Sequence, residues 1–304
     1  MTFEAKGLAK NFADKQVLQG ISLQTQGGKA LGLLGRNGAG KTTTIRIIMG
    51  VFPADSGEIL IDGQPIRRER INFGYLPEER GLYPKKIISE QLLYLAELRG
   101  SSKKAALSAM DHWLQRLEMG AYKNKKLDTL SKGNQQKIQL VATLISNPDF
   151  VILDEPFSGL DPVNAMLLKD VVHELIDDGK IVLFSSHQMS YVEEFCDDIA
   201  ILHQGRIVLS GNIRDIKRSY NRNKIIVDSK NAPQIAAYTR EQLPELVEKS
   251  TAEGPNAVIT LRQAEQKNSL LAALASQAFD IDGIKVFEPS LNDIFVEYTE
   301  EHVQ

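Results

Sequence analysis

The sequence predicts an α/β fold in which a parallel sheet carries a glycine-rich loop, with a helical insertion and a small α+β C-terminal domain. Three observations lead to this prediction. Short apolar runs alternate with longer amphipathic ones up to about residue 211. A glycine-rich loop directly follows a clear strand pattern and precedes a helical one. From residue 224 onward the pattern changes to β runs separated by helical stretches.

Composition sets broad limits on function. The chain has 304 residues, with 42% hydrophobic and 25% charged content, which is enough for two globular domains. A net charge of −3 gives no electrostatic reason to expect nucleic-acid binding. The single cysteine, Cys196, cannot form an intrachain disulfide, and "MTFEAKGLAK" lacks an apolar signal region, so a reducing cytoplasm is expected. No apolar run reaches the roughly 20 residues that span a bilayer, so a membrane role would need another chain.

Four strands are predicted, at residues 30–34, 150–153, 181–184 and 199–202. The first three are continuous apolar runs, which is typical of parallel strands covered on both faces. The Gln204–Gly205 pair after the fourth strand predicts a hairpin.

Helices are predicted for residues 41–49, 89–98, 105–117, 134–146 and 162–178. The last has Asp161 as a candidate N-cap, Pro162 at its first position and Gly179 just past its end. Between residues 74 and 147 every predicted element is helical. A helical subdomain inserted at about residues 78–147 is therefore expected within the α/β core.

The C-terminal part contains the β runs "KIIVDS", "AVITLR" and "IKVFEP" separated by two helical stretches. This order predicts a small accessory α+β domain at residues 223–304, after a first domain at residues 1–222 and a linker at 214–223. The region shows no convergent set of acids, histidines or cysteines, which favours regulation or dimer contact over catalysis.

The stretch "GRNGAGKTT" at residues 35–43 fits the pattern of a nucleotide phosphate loop. Its glycines allow successive backbone N–H groups to turn inward as a nest for phosphates, at the start of a helix. Lys41 would place its charge on the β- and γ-phosphates, and the Thr42 hydroxyl would bind Mg²⁺. The residues predicted to bind nucleotide here are Gly35, Asn37, Gly38, Ala39, Gly40, Lys41, Thr42 and Thr43.

Two later strands end in residues suited to hydrolysis. The run "FVILDEP" places Asp154 beside the loop as the metal-side acid and Glu155 as a general base for the attacking water. A pair of acids at a strand end can also be merely solvated. The run "FSSHQM" ends in His187; a lone histidine is more often structural, but its position after the acidic pair favours a catalytic role.

The stretch "LSKGNQQK" at residues 130–137 raises a further question, because Ser131 alone could be only a helix N-cap. Together with "GRNGAGKTT", "FVILDEP", "SGLD" and "SSH", in this order and spacing, it resembles the motif set of ABC transporter ATP-binding subunits across about residues 1–220. The resemblance implies the P-loop NTPase core of the ABC ATPase type, with an antiparallel β subdomain beside the helical insertion.

The resemblance also implies further site residues. In this family the signature loop contacts the ATP held by the opposite subunit of a head-to-tail dimer, which would be the role of Ser131, Lys132, Gly133 and Asn134. Ser158 and Asp161 match the D-loop, and Phe12 matches the aromatic residue that stacks on adenine, although a core aromatic is the alternative.

Two motifs depart from the family pattern. The usual signature is LSGGQ. In this chain Lys132 and Asn134 stand in place of a glycine and the glutamine, while Ser131 and Gly133 are intact. In "GYLPEERGLYP", Glu78 stands where the family's Q-loop normally has a glutamine. A carboxylate can bind Mg²⁺ or water as the amide carbonyl does, but with more charge, so Glu78 is included among the metal-side residues.

These variants and the C-terminal extension make the chain similar to ATPase subunits of bacterial exporters of the NatA and YhaQ type. The resemblance implies an ATPase that uses ATP and Mg²⁺ and works as a dimer, expected to be a homodimer. It would bind an integral membrane permease around residues 81–99, at the cytoplasmic face of the membrane. A soluble ABC ATPase acting in translation or DNA maintenance, a non-catalytic regulatory subunit and an importer subunit remain as alternatives, and the transported substrate is open.

Overall fold

The structure, a computed structural model, describes residues 1–79, 81–158, 160–220 and 222–300. Its internal contacts divide the described chain into two compact units. The first comprises Met1–Ile213 together with residues 295–300, and the second is Arg214–Ile294. The domain boundary that the sequence predicts, at residues 222 and 223, stays a prediction.

The first unit contains ten strands and six complete helices among its described residues. The strands are β1 (Thr2–Phe12), β2 (Lys15–Gln26), β3 (Lys29–Leu34), β4 (Ser56–Ile61), β5 (Gln64–Pro65), β6 (Phe73–Leu76), β7 (Phe150–Asp154), β8 (Ile181–Ser186), β9 (Asp198–His203) and β10 (Arg206–Asn212). The helices are α1 (Lys41–Ile48), α2 (Ile88–Leu98), α3 (Lys103–Arg116), α4 (Lys132–Leu144), α5 (Pro162–Asp177) and α6 (Met189–Phe195).

A six-stranded sheet forms the centre of this unit, in the order β10-β9-β3-β8-β7-β6. The pairs β9–β3, β3–β8, β8–β7 and β7–β6 are parallel, and only β10 joins antiparallel, through the hairpin with β9. Strands β7 and β8 are buried along their whole length, as their apolar runs require. The four predicted strands, the hairpin and the five predicted helices are therefore confirmed, with ends shifted by one or two residues.

A second, antiparallel sheet has the order β2-β1-β4-β5. It packs on the central sheet through a shared apolar cluster, in which the rings of Phe3 and Phe150 meet edge to face with centroids 5.0 Å apart. This is the antiparallel β subdomain expected from the resemblance. Because the cluster also contains Ile45 and Ile48 of α1, it fixes the helix behind the phosphate loop to both sheets.

Two local predictions are wrong. The sequence from residue 74 onward was expected to be wholly helical, but β6 forms the edge of the central sheet, parallel to β7. Its four residues, "FGYL", are too few to show a strand period. The predicted linker at residues 214–223 is largely the helix α7 (Ile213–Ser219), whose Ile213 and Ile216 are buried.

The second unit contains β11 (Lys224–Ser229), α8 (Ala232–Gln242), β12 (Val247–Glu253), β13 (Asn256–Leu261), α9 (Lys267–Ala275) and β14 (Ile281–Val286), and the helix α10 (Leu291–Glu300) follows. The sheet order is β12-β13-β11-β14, and all its pairs are antiparallel. This β-α-β-β-α-β arrangement is the ferredoxin-like split βαβ motif. The predicted α+β class is confirmed, but β12 was missed because "VEKSTAE" has no apolar alternation.

No helix in the described part of the chain combines the length and apolar character that crossing a membrane requires.

Candidate nucleotide site

The phosphate loop connects β3 to α1, as its sequence predicts. Gly38 and Gly40 have φ angles of +81° and +116°, which glycine adopts without strain. A Cβ on Gly40 would also lie 2.7 Å from Leu18 Cδ2. The buried Lys41 donates from Nζ to the carbonyl oxygen of Gly35 at 2.7 Å. Its ammonium is therefore held inside the loop, where phosphate oxygens can compete for it.

A cavity of about 270 Å³ lies over the loop and brings together residues from distant parts of the sequence. The predicted residues that line it are Asn37, Gly38, Gly40, Lys41, Thr42, Thr43, Glu78, Asp154 and Glu155. Gly35 and Ala39 are buried and do not line the cavity. The phosphate loop and the three predicted acids thus share one space, as nucleotide chemistry requires.

Asp154 ends β7 and is almost fully buried. Its Oδ1 accepts a hydrogen bond from Ser185 Oγ, and its Oδ2 accepts one from the Tyr75 hydroxyl at 3.3 Å. Burial and the charge of Asp154 raise the pKa of Tyr75 to about 12, so the hydroxyl stays protonated and donates at neutral pH. Side chains of β6 and β8, the two neighbours of β7, therefore orient this carboxylate.

Glu155 has only 4% of its surface exposed and adopts a left-handed backbone with φ +49°. Its Oε1 lies 2.7 Å from His187 Nδ1, and its Oε2 accepts a hydrogen bond from Ser186 Oγ at 3.1 Å. The turn after β7 thus aims the carboxylate at the end of β8. The result is a fixed acid–imidazole pair beside the cavity, suited to orient and deprotonate a water molecule.

We expect His187→Ala to lower the ATP hydrolysis rate about 10²-fold, because it removes the group that orients the Glu155 carboxylate. The His187 side chain is 58% exposed, but its loss leaves Oε1 of the buried Glu155 without this partner, so the unfolding temperature should fall by a few degrees while the chain stays folded. Phosphate release and a thermal melt measure the two effects. His112→Ala, at an exposed position on α3, is the matched control. If His187→Ala hydrolyses ATP as fast as this control, His187 has no role in the reaction.

Oxygen donors suited to Mg²⁺ converge on the same cavity: the Thr42 hydroxyl and the carboxylates of Asp154 and Glu78. Within the described residues, no group of three or more His, Cys, Asp or Glu side chains could hold a metal ion unaided. This donor set fits Mg²⁺, which commonly takes one or two carboxylates and completes its shell with waters and substrate phosphates.

The signature residues lie elsewhere. Ser131 is the N-cap of α4 and its Oγ accepts a hydrogen bond from Asn134 N at 3.3 Å. Ser131 and Lys132 are exposed, and none of the four signature residues lines the described cavity. Gly133 faces α5, because a Cβ there would lie 3.1 Å from Asn164 Nδ2. The loop therefore presents its hydroxyl and the start of α4 outward.

The D-loop residues join the Glu155 turn to α5. Ser158 donates its backbone N–H to the Glu155 carbonyl at 3.1 Å, and Asp161 caps α5 by accepting from Asn164 N at 3.0 Å. This backbone hydrogen bond lowers the pKa of Asp161. Gly159, within the predicted "SGLD" motif, lies outside the described residues.

Phe12 ends β1 with its ring 45% exposed and packed edge to face on Phe52, with centroids 5.4 Å apart. It is therefore available for stacking rather than buried in the core, but it does not line the cavity. Three residues that do line it were missed: Lys15, Val17 and Arg36. Arg36 was missed because it occupies a variable position of the loop motif. Lys15 was missed because a lysine at a hairpin is usually only a surface charge.

Comparisons with known proteins agree with this geometry. The family model for ABC transporters matches residues 18–158, and a model described as ATP-binding protein DrrA1-3-like, C-terminal domain, matches residues 211–299. The chain is 42% identical to the ABC transporter ATP-binding protein YhaQ of Bacillus subtilis strain 168, over 95% of this chain and 96% of YhaQ.

Two further relatives are more distant. The chain is 31% identical to the lipopolysaccharide export system ATP-binding protein LptB of Escherichia coli K12, over 71% of this chain and 92% of LptB. A solved ATP-binding subunit of an ABC transporter matches the fold with a TM-score of 0.66 and 31% identity, over 72% of this chain and 92% of that one. The chain belongs to the ATP-binding subunits of ABC transporters, the family that hydrolyses ATP to energise transport.

Proposed function

We propose that two copies of this chain close on two ATP molecules and drive export through a separate membrane permease. The distribution of the site residues carries this proposal. Lys41, Asp154 and Glu155 line one cavity, and His187 contacts Glu155 beside it. Ser131, in contrast, is exposed and does not line that cavity in the described structure. An exposed helix start, whose N–H groups favour anions, is suited to bind the phosphates of a nucleotide held by a second copy.

Within each copy, the roles follow from the contacts. Lys41 binds the β- and γ-phosphates, and Glu155, held by His187, accepts the proton of the attacking water. Thr42, Asp154 and Glu78 line the same cavity and would hold Mg²⁺; when bound, the ion would supply positive charge beside the phosphates. Tyr75 and Ser185 keep the Asp154 carboxylate oriented toward the cavity.

The surface next to the D-loop supports a dimer of this chain. Val163 and Met166, on the first turns of α5, are exposed apolar side chains. They lie within five residues after Asp161, on the helix that Gly133 faces. Closure of a second copy over the signature loop and D-loop would cover them, which favours association through the apolar surface removed from water.

A second exposed surface supports permease binding. We define the docking surface as Tyr83, Tyr94 and Leu98, in the predicted segment 81–99; their exposed fractions are 62%, 58% and 69%. Tyr94 and Leu98 are four residues apart on α2 and so share one helix face. Exposed aromatic and large apolar side chains of this kind mark interaction sites. Binding here would hold the chain at the cytoplasmic face of the membrane.

Export, rather than import, is supported by the names of two relatives. LptB is an ATP-binding protein of a lipopolysaccharide export system, and the chain is 29% identical to the linearmycin resistance ATP-binding protein LnrL of Bacillus subtilis, over 97% of each chain. The name of LptB states export, and the name of LnrL states resistance to linearmycin, which removal of a compound from the cell would provide.

Replacing Leu98 by Asp tests the docking surface. We expect Leu98→Asp to reduce binding to membrane vesicles from a source strain lacking this chain about fivefold or more, because a charge would enter an apolar contact. ATP hydrolysis by the purified chain should not change. Co-sedimentation measures the binding, and Leu271→Asp, an exposed leucine on α9, is the control. Equal binding by Leu98→Asp and wild type would contradict permease docking at this surface.

A further inference from the structure

A buried glutamine on α4 is not part of any motif that the sequence analysis identified as functional. Gln139 is 5% exposed and belongs to a stretch of α4, residues 138–144, in which every residue is buried. A side-chain amide in such surroundings is costly unless its polar atoms are hydrogen-bonded. Its contacts therefore indicate why this helix carries an amide rather than an apolar residue.

The Gln139 Nε2 donates to two backbone carbonyl oxygens, that of Pro77 at 3.3 Å and that of Glu79 at 3.2 Å. These carbonyls belong to the residues on either side of Glu78. One side chain thus bridges the backbone around Glu78, which lines the nucleotide cavity.

One helical turn later, a second side chain holds the strand before this loop. Thr143, also buried, donates from Oγ1 to the Tyr75 carbonyl at 3.1 Å, and the Tyr75 hydroxyl in turn donates to Asp154. Thr143 Oγ1 also lies 3.0 Å from the backbone carbonyl oxygen of Gln139, but neither contact uses the Gln139 side chain, so Thr143 fixes the end of β6 independently of the Gln139 amide. Loss of the Gln139 amide would release residues 77–79 while leaving β6 in its register with β7.

The same helix begins at the signature loop. Ser131 caps the start of α4, and Gln139 lies two turns further along the same rigid element. We propose that Gln139 is a positioning residue that sets the place of Glu78 in the nucleotide cavity and makes it depend on the position of the signature helix. This rests on the proposed function, in which Glu78 acts on the Mg²⁺ side and Ser131 contacts the ATP of the partner.

The test compares Gln139→Met with wild type, since methionine keeps the length and volume of the side chain but cannot donate. The readout is the Mg²⁺ concentration that gives half-maximal ATP binding by the full-length chain, checked by the same titration of ATP hydrolysis, and it is measured alone and in a Glu78→Ala background. We expect Gln139→Met to raise this concentration about threefold to tenfold in the wild-type background, as loss of two ordinary hydrogen bonds permits, and to have no further effect after Glu78→Ala.

Gln91→Met is the matched control: Gln91 on α2 is equally buried, and its Nε2 also donates to a backbone carbonyl, that of Lys86. It should not change the Mg²⁺ requirement. A Gln139→Met variant that behaves like this control, or that shifts the Mg²⁺ requirement equally in both backgrounds, overturns the proposal. If Gln139→Met does not fold, Gln139→Asn, whose amide is too short to bridge both carbonyls, is measured in the same way.

Different variants test the proposed function and this inference, so each can be refuted without the other. If Glu155→Gln keeps about a tenth or more of the wild-type rate of ATP hydrolysis, the hydrolytic mechanism itself is wrong. If Glu155→Gln is inactive and Gln139→Met matches the Gln91→Met control, only the positioning role of Gln139 is lost.

Discussion

Glu155→Gln should abolish ATP turnover and leave the chain as an ATP-bound dimer. The amide has the shape of the carboxylate, so the contacts with His187 and Ser186 can persist, but it cannot accept the proton of the attacking water. We expect the hydrolysis rate to fall about 10²- to 10⁴-fold, the usual contribution of a general base. Phosphate release measures the rate, and light scattering after size exclusion with ATP and Mg²⁺ measures the dimer.

The control for this variant is Glu58→Gln, at an exposed position on β4, which should hydrolyse ATP at the wild-type rate. The dimer is the second part of the result, because ATP that is not cleaved cannot release the closed state. A Glu155→Gln chain that keeps a tenth or more of the wild-type rate would show that another group deprotonates the water.

Replacement of Ser131 should separate its two possible roles, helix cap and contact to the partner's ATP. Ser131→Arg removes the cap and places a long side chain at the exposed start of α4, so the ATP-dependent dimer should be lost. Ser131→Asp keeps a good N-cap but brings a negative charge toward phosphate, so it should also prevent the dimer. Binding of ATP to the monomer should be unchanged in both variants, since the loop does not line the described cavity.

Ser102→Arg provides the matched control. Ser102 caps α3 through the same contact, accepting from Ala105 N at 3.3 Å, and it lies outside every predicted motif. Its replacement should cost about 1 kcal/mol of stability, as loss of an N-cap does, and leave the dimer intact. If Ser131→Asp still forms the ATP-dependent dimer, the signature serine is only a helix cap in this chain.

The sequence predicted best what depends on strong local patterns. The continuous apolar runs of β3, β7 and β8 and the capped start of α5 identify their elements because burial on both faces and a satisfied helix end leave local signals. The strands β6 and β12 were missed for the opposite reason. The first is four residues long, and the second is mostly polar, with Val247 in the buried apolar cluster, and pairs with β13.

The functional site shows the same division. Lys41, Asp154 and Glu155 could be named from motifs, but their companions could not. Tyr75 reaches Asp154 only because β6 pairs beside β7, a neighbour relation that the missed strand concealed. Gln139 is similarly invisible in sequence, since its hydrogen bonds to the backbone around Glu78 depend on how α4 packs against a loop about 60 residues away.

The left-handed backbone of Glu155 has a consequence for engineering this chain. A non-glycine residue with positive φ costs about 1–3 kcal/mol where the surroundings hold it there, and Glu155 is also a buried carboxylate, which loses hydration on folding. Glu155, the residue that the reaction needs, therefore lowers the stability of the fold through both its backbone conformation and its buried charge. Selection of variants for heat resistance alone would therefore favour glycine or asparagine at this position, and it would recover proteins that survive heating and no longer turn over ATP.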